Sequence, residues 1–177
     1  MGLTAVALLA GGLLGLAAGG RPLALSATPL RWWGALAAGV ALQVSAGRLD
    51  SAGTAAVAAS YLCLVAFAVA NRGLPAMPVV LVGLGLNAAV VLVNGGMPVR
   101  PAAVAAAGLD PAHLEGADLG AKHHLEGPDD RLAFLGDVLA VRPLREVVSV
   151  GDVVLALGVG GVLFRLLRPR APAPLPS

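Results

Sequence analysis

This chain of 177 residues is 58% hydrophobic and 12% charged, with a mean hydropathy of +0.85. A soluble domain carries about a quarter of its residues charged, so composition excludes most soluble enzymes and names lipid as the solvent. The formal charge is only +2, and the basic residues are scattered without aromatic interleaving, which excludes nucleic acid as a partner. One cysteine, Cys63, sits in an apolar stretch, so neither an intrachain disulfide nor a cysteine metal cluster is available.

Five apolar segments follow in order: residues 2–20, 32–47, 52–70, 76–94 and 149–167. Each is close to the ~20 residues that cross ~30 Å of hydrocarbon at ~1.5 Å per residue. The second is the shortest. The first has no Lys or Arg ahead of its apolar run, unlike a secretory signal, and is expected to stay as a membrane helix. Gly11, Gly15 and Gly19 fall four apart along it, a small-residue stripe that lets a neighbour approach closely; Ala55 with Ala59 and Ala156 with Gly160 repeat the spacing. Packing within one bundle is the plain reading of these stripes, and homo-oligomerisation the sharper one.

The positive-inside rule orients the spans. Arg21, Arg31, Arg72, Arg165, Arg168 and Arg170 share one side, whereas Arg48 is alone in a short loop on the other. The expected topology is therefore N-out and C-in, with Trp32 and Trp33 as an aromatic anchor at the inner interface. Residues 95–148 collect Gly, Pro, Asp, Glu and all three histidines and are expected to form an outer cap or re-entrant element, not a separate domain. "MPVRPAAVAAAGLDP" reads as a short interfacial helix and "RLAFLGDVLAV" as an apolar piece too short to span. Residues 1–170 then make one membrane domain, and 171–177, "APAPLPS", a disordered Pro-rich tail.

"RPLALSATPLRWWGALAAGVALQ", "LNAAVVLVNGGMPV", "RLAFLGD" and "SVGDVVLALG" resemble, in order and spacing, blocks of a family of bacterial integral membrane proteins known as domain of unknown function 5317. The resemblance covers nearly the whole chain and implies the plasma membrane of a bacterium, with Ala/Gly/Val/Arg usage suited to a high-GC host. It implies no activity.

Polar side chains within the spans are few. Under the N-out topology Gln43, Asn87, Asn94 and Asp152 all fall in the outer half, where buried polar groups must find partners or face water. Asp152 has two readings. Ser149-Val150-Gly151-Asp152 has the S-x-x-acid form of a capping box, which starts a helix by satisfying its orphan N–H groups. Alternatively, "VVSVGDVVLALG" resembles the opening of the last helix of bacterial lipoprotein signal peptidases, whose Asn-x-Ala-Asp block carries one of two catalytic aspartates. That chemistry needs a second carboxylate sharing a proton with the first. "VNGGMPVR" holds none where those peptidases place it, which leaves Asp137 in "FLGD" or Asp130 in "DDR". His123, His124, Glu126, Asp129 and Asp130 are of metal-ligand type but lack ligand spacing, so a solvated loop is expected and no metal or cofactor is assigned.

The expected fold is all-α: a polytopic membrane bundle of five transmembrane helices. The leading function is a small envelope protein binding a lipid headgroup or partner protein at the outer leaflet through Gln43, Asn87, Asn94, Asp137 and Asp152. The alternatives are a membrane aspartic hydrolase using Asp137 and Asp152, or a small transporter or channel subunit. Absence of any mid-bilayer charge weighs against the last.

Overall fold

A computed structural model describes residues 2–26, 28–49, 52–110 and 122–168. The tail at 171–177 lies outside the described residues. Five longer helices carry the bundle: α1 (Gly2–Ala17), α3 (Trp33–Ser45), α4 (Gly53–Ala70), α5 (Met77–Asn94) and α7 (Val150–Leu167). A single turn, α2 (Leu23–Ser26), links the first two, and α6 (Pro101–Ala106) lies beyond the fifth apolar segment's partner α5. Among the described residues α4, α5 and α7 are long and apolar enough to cross a membrane. α1, at 16 residues, and α3, at 13, are shorter than the segments read from sequence. Gly19 is beyond the end of α1 with φ +83°, and a short 3-10 turn, Ala46–Arg48, takes over from α3.

Neighbour order in the bundle is α1–α7–α5–α4–α3. Glycines set the spacing around α7. A Cβ on Gly11 would overlap the Gly160 carbonyl of α7, and one on Gly158 would meet the Val80 backbone of α5 at 2.7 Å. Two of the three stripe glycines, Gly11 and Gly15, are thus used inside the bundle, against α7, as are Ala156 and Gly160. Large apolar side chains such as Leu9, Leu13, Leu62, Leu92 and Leu157 are left outward. The core beneath them is Val57, Tyr61, Phe67, Val80, Leu84, Val90 and Val91.

The all-α expectation is too narrow. Residues 97–149 contain a four-stranded mixed sheet of order β2–β1–β3–β4, made of β1 (Met97–Val99), β2 (His123–Leu125), β3 (Asp137–Val141) and β4 (Glu146–Ser149). β1 runs parallel to both β2 and β3; β3 and β4 are antiparallel, with an irregularity between Asp137 and Leu139. The predicted interfacial helix is present only as α6, and "RLAFLGDVLAV" becomes a 3-10 turn followed by β3. The reason is chemical: short strands with Pro and Gly between them need partners from elsewhere in the chain, and here each finds one.

The sheet caps one end of the bundle. β4 leads without a break into α7, and β1 leaves the end of α5 through Gly95, whose φ of +71° reverses the chain. Glu146 at the start of β4 accepts from the N–H groups of Gly2 (2.7 Å) and Leu3 (3.2 Å), placing an anion on the orphan donors that open α1. These hydrogen bonds hold the Glu146 carboxyl below its ordinary value.

Candidate functional site

Where β4 turns into α7, the capping box expected at Ser149 is fully formed. Ser149 Oγ accepts from the Asp152 N–H at 2.9 Å, and Asp152 Oδ2 accepts from the Ser149 N–H at 3.2 Å. The network does not stop there. Asn87, near the middle of α5, donates from Nδ2 to Asp152 Oδ1 at 2.7 Å and accepts at Oδ1 from the Ser149 hydroxyl at 2.8 Å. Ser149, Asn87 and Asp152 thus close a ring in which each hydrogen-bonds both others. Ser149 is fully buried and Asn87 is 3% exposed. Gly151 permits this, because a Cβ there would fall on the Asn87 amide oxygen.

Asp137 reaches the same place through the sheet. It opens β3 opposite Ser149, so the strand pairing sets it beside the first turn of α7. It is 6% exposed. Burial first, and then the Asp152 charge, push its carboxyl up to about 7, against the opposing pull of Lys122. His123, from β2 on the far side of β1, places Nε2 3.6 Å from Asp137 Oδ2. That is longer than a good hydrogen bond. Its ring keeps a partly exposed edge, yet burial and then the Lys122 charge push the imidazole down to about 4. At neutral pH the imidazole is neutral, and the Asp137 carboxyl is divided between acid and carboxylate.

On the α4 side the Tyr61 hydroxyl faces Gln43 of α3 and lies within the fields of Asp152 and Asp137. Gln43, Asn87, Asp137 and Asp152 therefore collect at the capped end. Asn94 does not join them: its amide donates to the Arg131 carbonyl and accepts from the Arg131 N–H, both at 2.8 Å, and so clamps the loop before β3. Two members were not picked from sequence. Tyr61 is the only tyrosine, with a hydroxyl in an apolar span that had to find a partner; His123 was read as part of a solvated loop. The remaining loop residues serve the cap. His124 contacts Asp130 at 2.8 Å, and Arg100 grips Glu126 through two bonds of 2.8 and 3.1 Å. Burial works against the Asp130 charge, but the Gly127 N–H and His124 together hold its carboxyl below the ordinary value. Among the described residues no group of three or more His, Cys, Asp and Glu is placed to hold a metal ion.

Chemically, the cluster offers one fully engaged carboxylate, Asp152, and one carboxyl near neutrality, Asp137, with an imidazole beside it. Such a site can accept hydrogen bonds from an ammonium or hydroxyl group, and it can exchange a proton at Asp137.

These features define a mostly helical protein with, among the described residues, three helices fit to span a membrane and a small mixed sheet over one end. Within that class the particular assignment is plain: the chain belongs to the family of unknown function DUF5317, which it matches over residues 29–164. No curated protein and no solved structure matches it.

Proposed function

We propose that this is a multi-pass plasma-membrane protein of a bacterium, with the sheet outside, that binds a lipid headgroup at the outer leaflet through the capped cluster. All five longer helices lie in the bilayer in this reading, α1 and α3 reaching their interfaces with the adjoining turns. Arg21, Arg31, Arg72, Arg165 and Arg168, the described arginines of the opposite end, then lie inside, as the positive-inside rule requires. The observation that carries binding over hydrolysis is the commitment of Asp152. Both its oxygens already accept hydrogen bonds, from Asn87 and from its own helix cap, so it is poorly placed to activate water. Gln43, Asn87, Asp137 and Asp152, with Tyr61 and His123, form the lining.

The test is mass spectrometry of the protein purified in mild detergent. A retained phospholipid that is lost in Asp137→Asn and kept in Arg145→Gln, on the cap surface, supports the reading. A co-purifying protein in place of lipid would move the site to a partner.

A second reading has one observation in its favour. Asp137 is raised to about 7, by burial first and then by the neighbouring charge of Asp152, the kind of split in protonation that an aspartic pair uses. As a membrane aspartic hydrolase, Asp152 would act as base on water and Asp137 as acid. Incubation with bacterial membrane extracts should then give cleavage products that vanish equally in Asp137→Asn and Asp152→Asn. Persistence of those products in either variant removes the reading.

A further inference from the structure

At the end of the bundle away from the sheet, the chain entering α3 and the C-terminal half of α4 enclose a cleft of about 970 Å³. Its wall is apolar, formed by Leu62, Val65, Ala66 and Val69 of α4, and its rim carries Arg31 and Arg72. The rim is built, not incidental. Asn71, 5% exposed, accepts at Oδ1 from the Arg31 N–H at 3.0 Å. Its Nδ2 donates to the Arg31 carbonyl at 2.7 Å and to the Phe67 carbonyl at 2.8 Å. One buried amide thus fixes the backbone that bears Arg31 against the helix end that bears Arg72.

Trp32 follows in the left-handed region, φ 57° and ψ 35°, a conformation that costs a non-glycine residue about 1 kcal/mol or more. The strain is tolerated while both Trp32 and Trp33 stay exposed beside the cleft, the setting in which tryptophan sits at a membrane interface. Charge completes the pattern. Every Asp and Glu of the chain lies between Asp50 and Asp152, and none lies in the segments 1–49, 51–109 or 153–177. Among the described residues neither Arg31 nor Arg72 is paired with a carboxylate. Two unpaired guanidiniums above a greasy wall match a phosphate joined to an acyl chain, and basic pockets between membrane helices take such headgroups.

We propose that this cleft binds an anionic phospholipid, its phosphate held between Arg31 and Arg72 and one acyl chain lying along Leu62, Val65 and Ala66. The assignment rests on the membrane reading above but not on the headgroup site beneath the sheet.

The test uses the full chain in dodecyl maltoside, followed by native mass spectrometry and thermal unfolding with added phosphatidylglycerol or phosphatidylcholine. Phosphatidylglycerol should be retained about tenfold better than phosphatidylcholine. The double variant Arg31→Gln, Arg72→Gln should erase that preference, and Arg48→Gln, near the other end, should keep it. Ala66→Trp fills the wall without touching either arginine and should also release the lipid; it decides the matter alone if the double variant does not fold. Equal retention of both lipids overturns the proposal, as does equal loss in Arg48→Gln or protection by inorganic phosphate as strong as by the lipid. Alkaline carbonate separates the two failures. A chain stripped from membranes by it sinks the membrane reading itself, whereas a chain that stays embedded without lipid preference sinks only the cleft.

Discussion

The two ends of the bundle use polar side chains in opposite ways. Beneath the sheet, Ser149, Asn87 and Asp152 spend their hydrogen-bonding capacity on one another, deep among apolar neighbours. At the basic end one amide, Asn71, holds the backbone, and the charged groups Arg31 and Arg72 point out unpaired. Polar atoms that satisfy each other in a low dielectric fix geometry and are costly to disturb. Polar atoms aimed outward contribute little to the fold and are free to meet a ligand. Substitutions in the ring of Ser149, Asn87 and Asp152 should therefore register mainly as lost stability, and those at Asp137, outside the ring, and at the basic end mainly as lost binding.

The sharpest way to break that contrast is Gly151→Ala. The new methyl lands on the Asn87 amide oxygen, so either α5 moves away from α7 or the ring opens. A destabilisation of about 3 kcal/mol is expected, combining overpacking with stranded hydrogen-bond partners. Thermal unfolding in detergent reads it, and a change under about 0.5 kcal/mol would mean that the two helices do not meet as described. Asn87→Leu comes next, at about 2 kcal/mol, because it keeps the volume but leaves Asp152 Oδ1 without its donor. Asp152→Asn should cost less than Asn87→Leu, since an amide can still take part in the helix cap. The reverse order would show that the charge, not the ring, holds this end.

Asn71→Ala tests the other end. Water at an interface can replace much of what the amide supplied, so a loss of about 1 kcal/mol is expected. The linker, however, is released, and tryptic cleavage at Arg31 should accelerate several-fold. Unchanged cleavage would mean the linker is held by something other than Asn71.

Much of this contrast was legible in the residues. The lengths of α4, α5 and α7 follow from apolar runs bounded by Asn71, by Pro78 at the second position of α5, and by Ser149. The capping box is written in Ser149 and Asp152, and the meeting of Asn87 with Asp152 follows from both being polar at similar depth. The sheet was not legible, and the physics says why. Its strands are three to five residues long and pair across gaps, Met97 with His123 and Val99 with Asp137, so no local periodicity announces them. Asp137 could be named as a candidate from its type alone. That it lies opposite Ser149, with His123 beyond it, comes only from that non-local pairing. That Asn94 lies apart from the others was hidden for a related reason: its partner, the Arg131 backbone, carries no side-chain signature.

The smallest effect probes the seam between sheet and bundle. Asp137 is raised from 3.8 to about 7, so the folded state holds a proton that the unfolded chain has released. Its contribution is complete below pH 4 and is lost as pH rises toward 7. His123 is lowered from 6.5 to about 4, so the unfolded chain holds the extra proton, and its contribution falls as pH drops from 6.5 to 4. Between pH 4 and 6.5 the two slopes oppose each other, with Lys122, His124 and Asp152 the charged or titratable neighbours of the pair. The native protein should therefore show a nearly flat stability across that window and a slight decline only near pH 7. Removing one partner should expose the other. His123→Gln should become less stable from pH 4 to 6.5, and Asp137→Asn more stable, each by about 1 kcal/mol once solvent at the half-open imidazole edge is allowed for. Opposite slopes in the two variants would show that acid and imidazole are both desolvated at this seam; parallel slopes would mean that one of them is in water and would leave the cap resting on the bundle through backbone pairing alone.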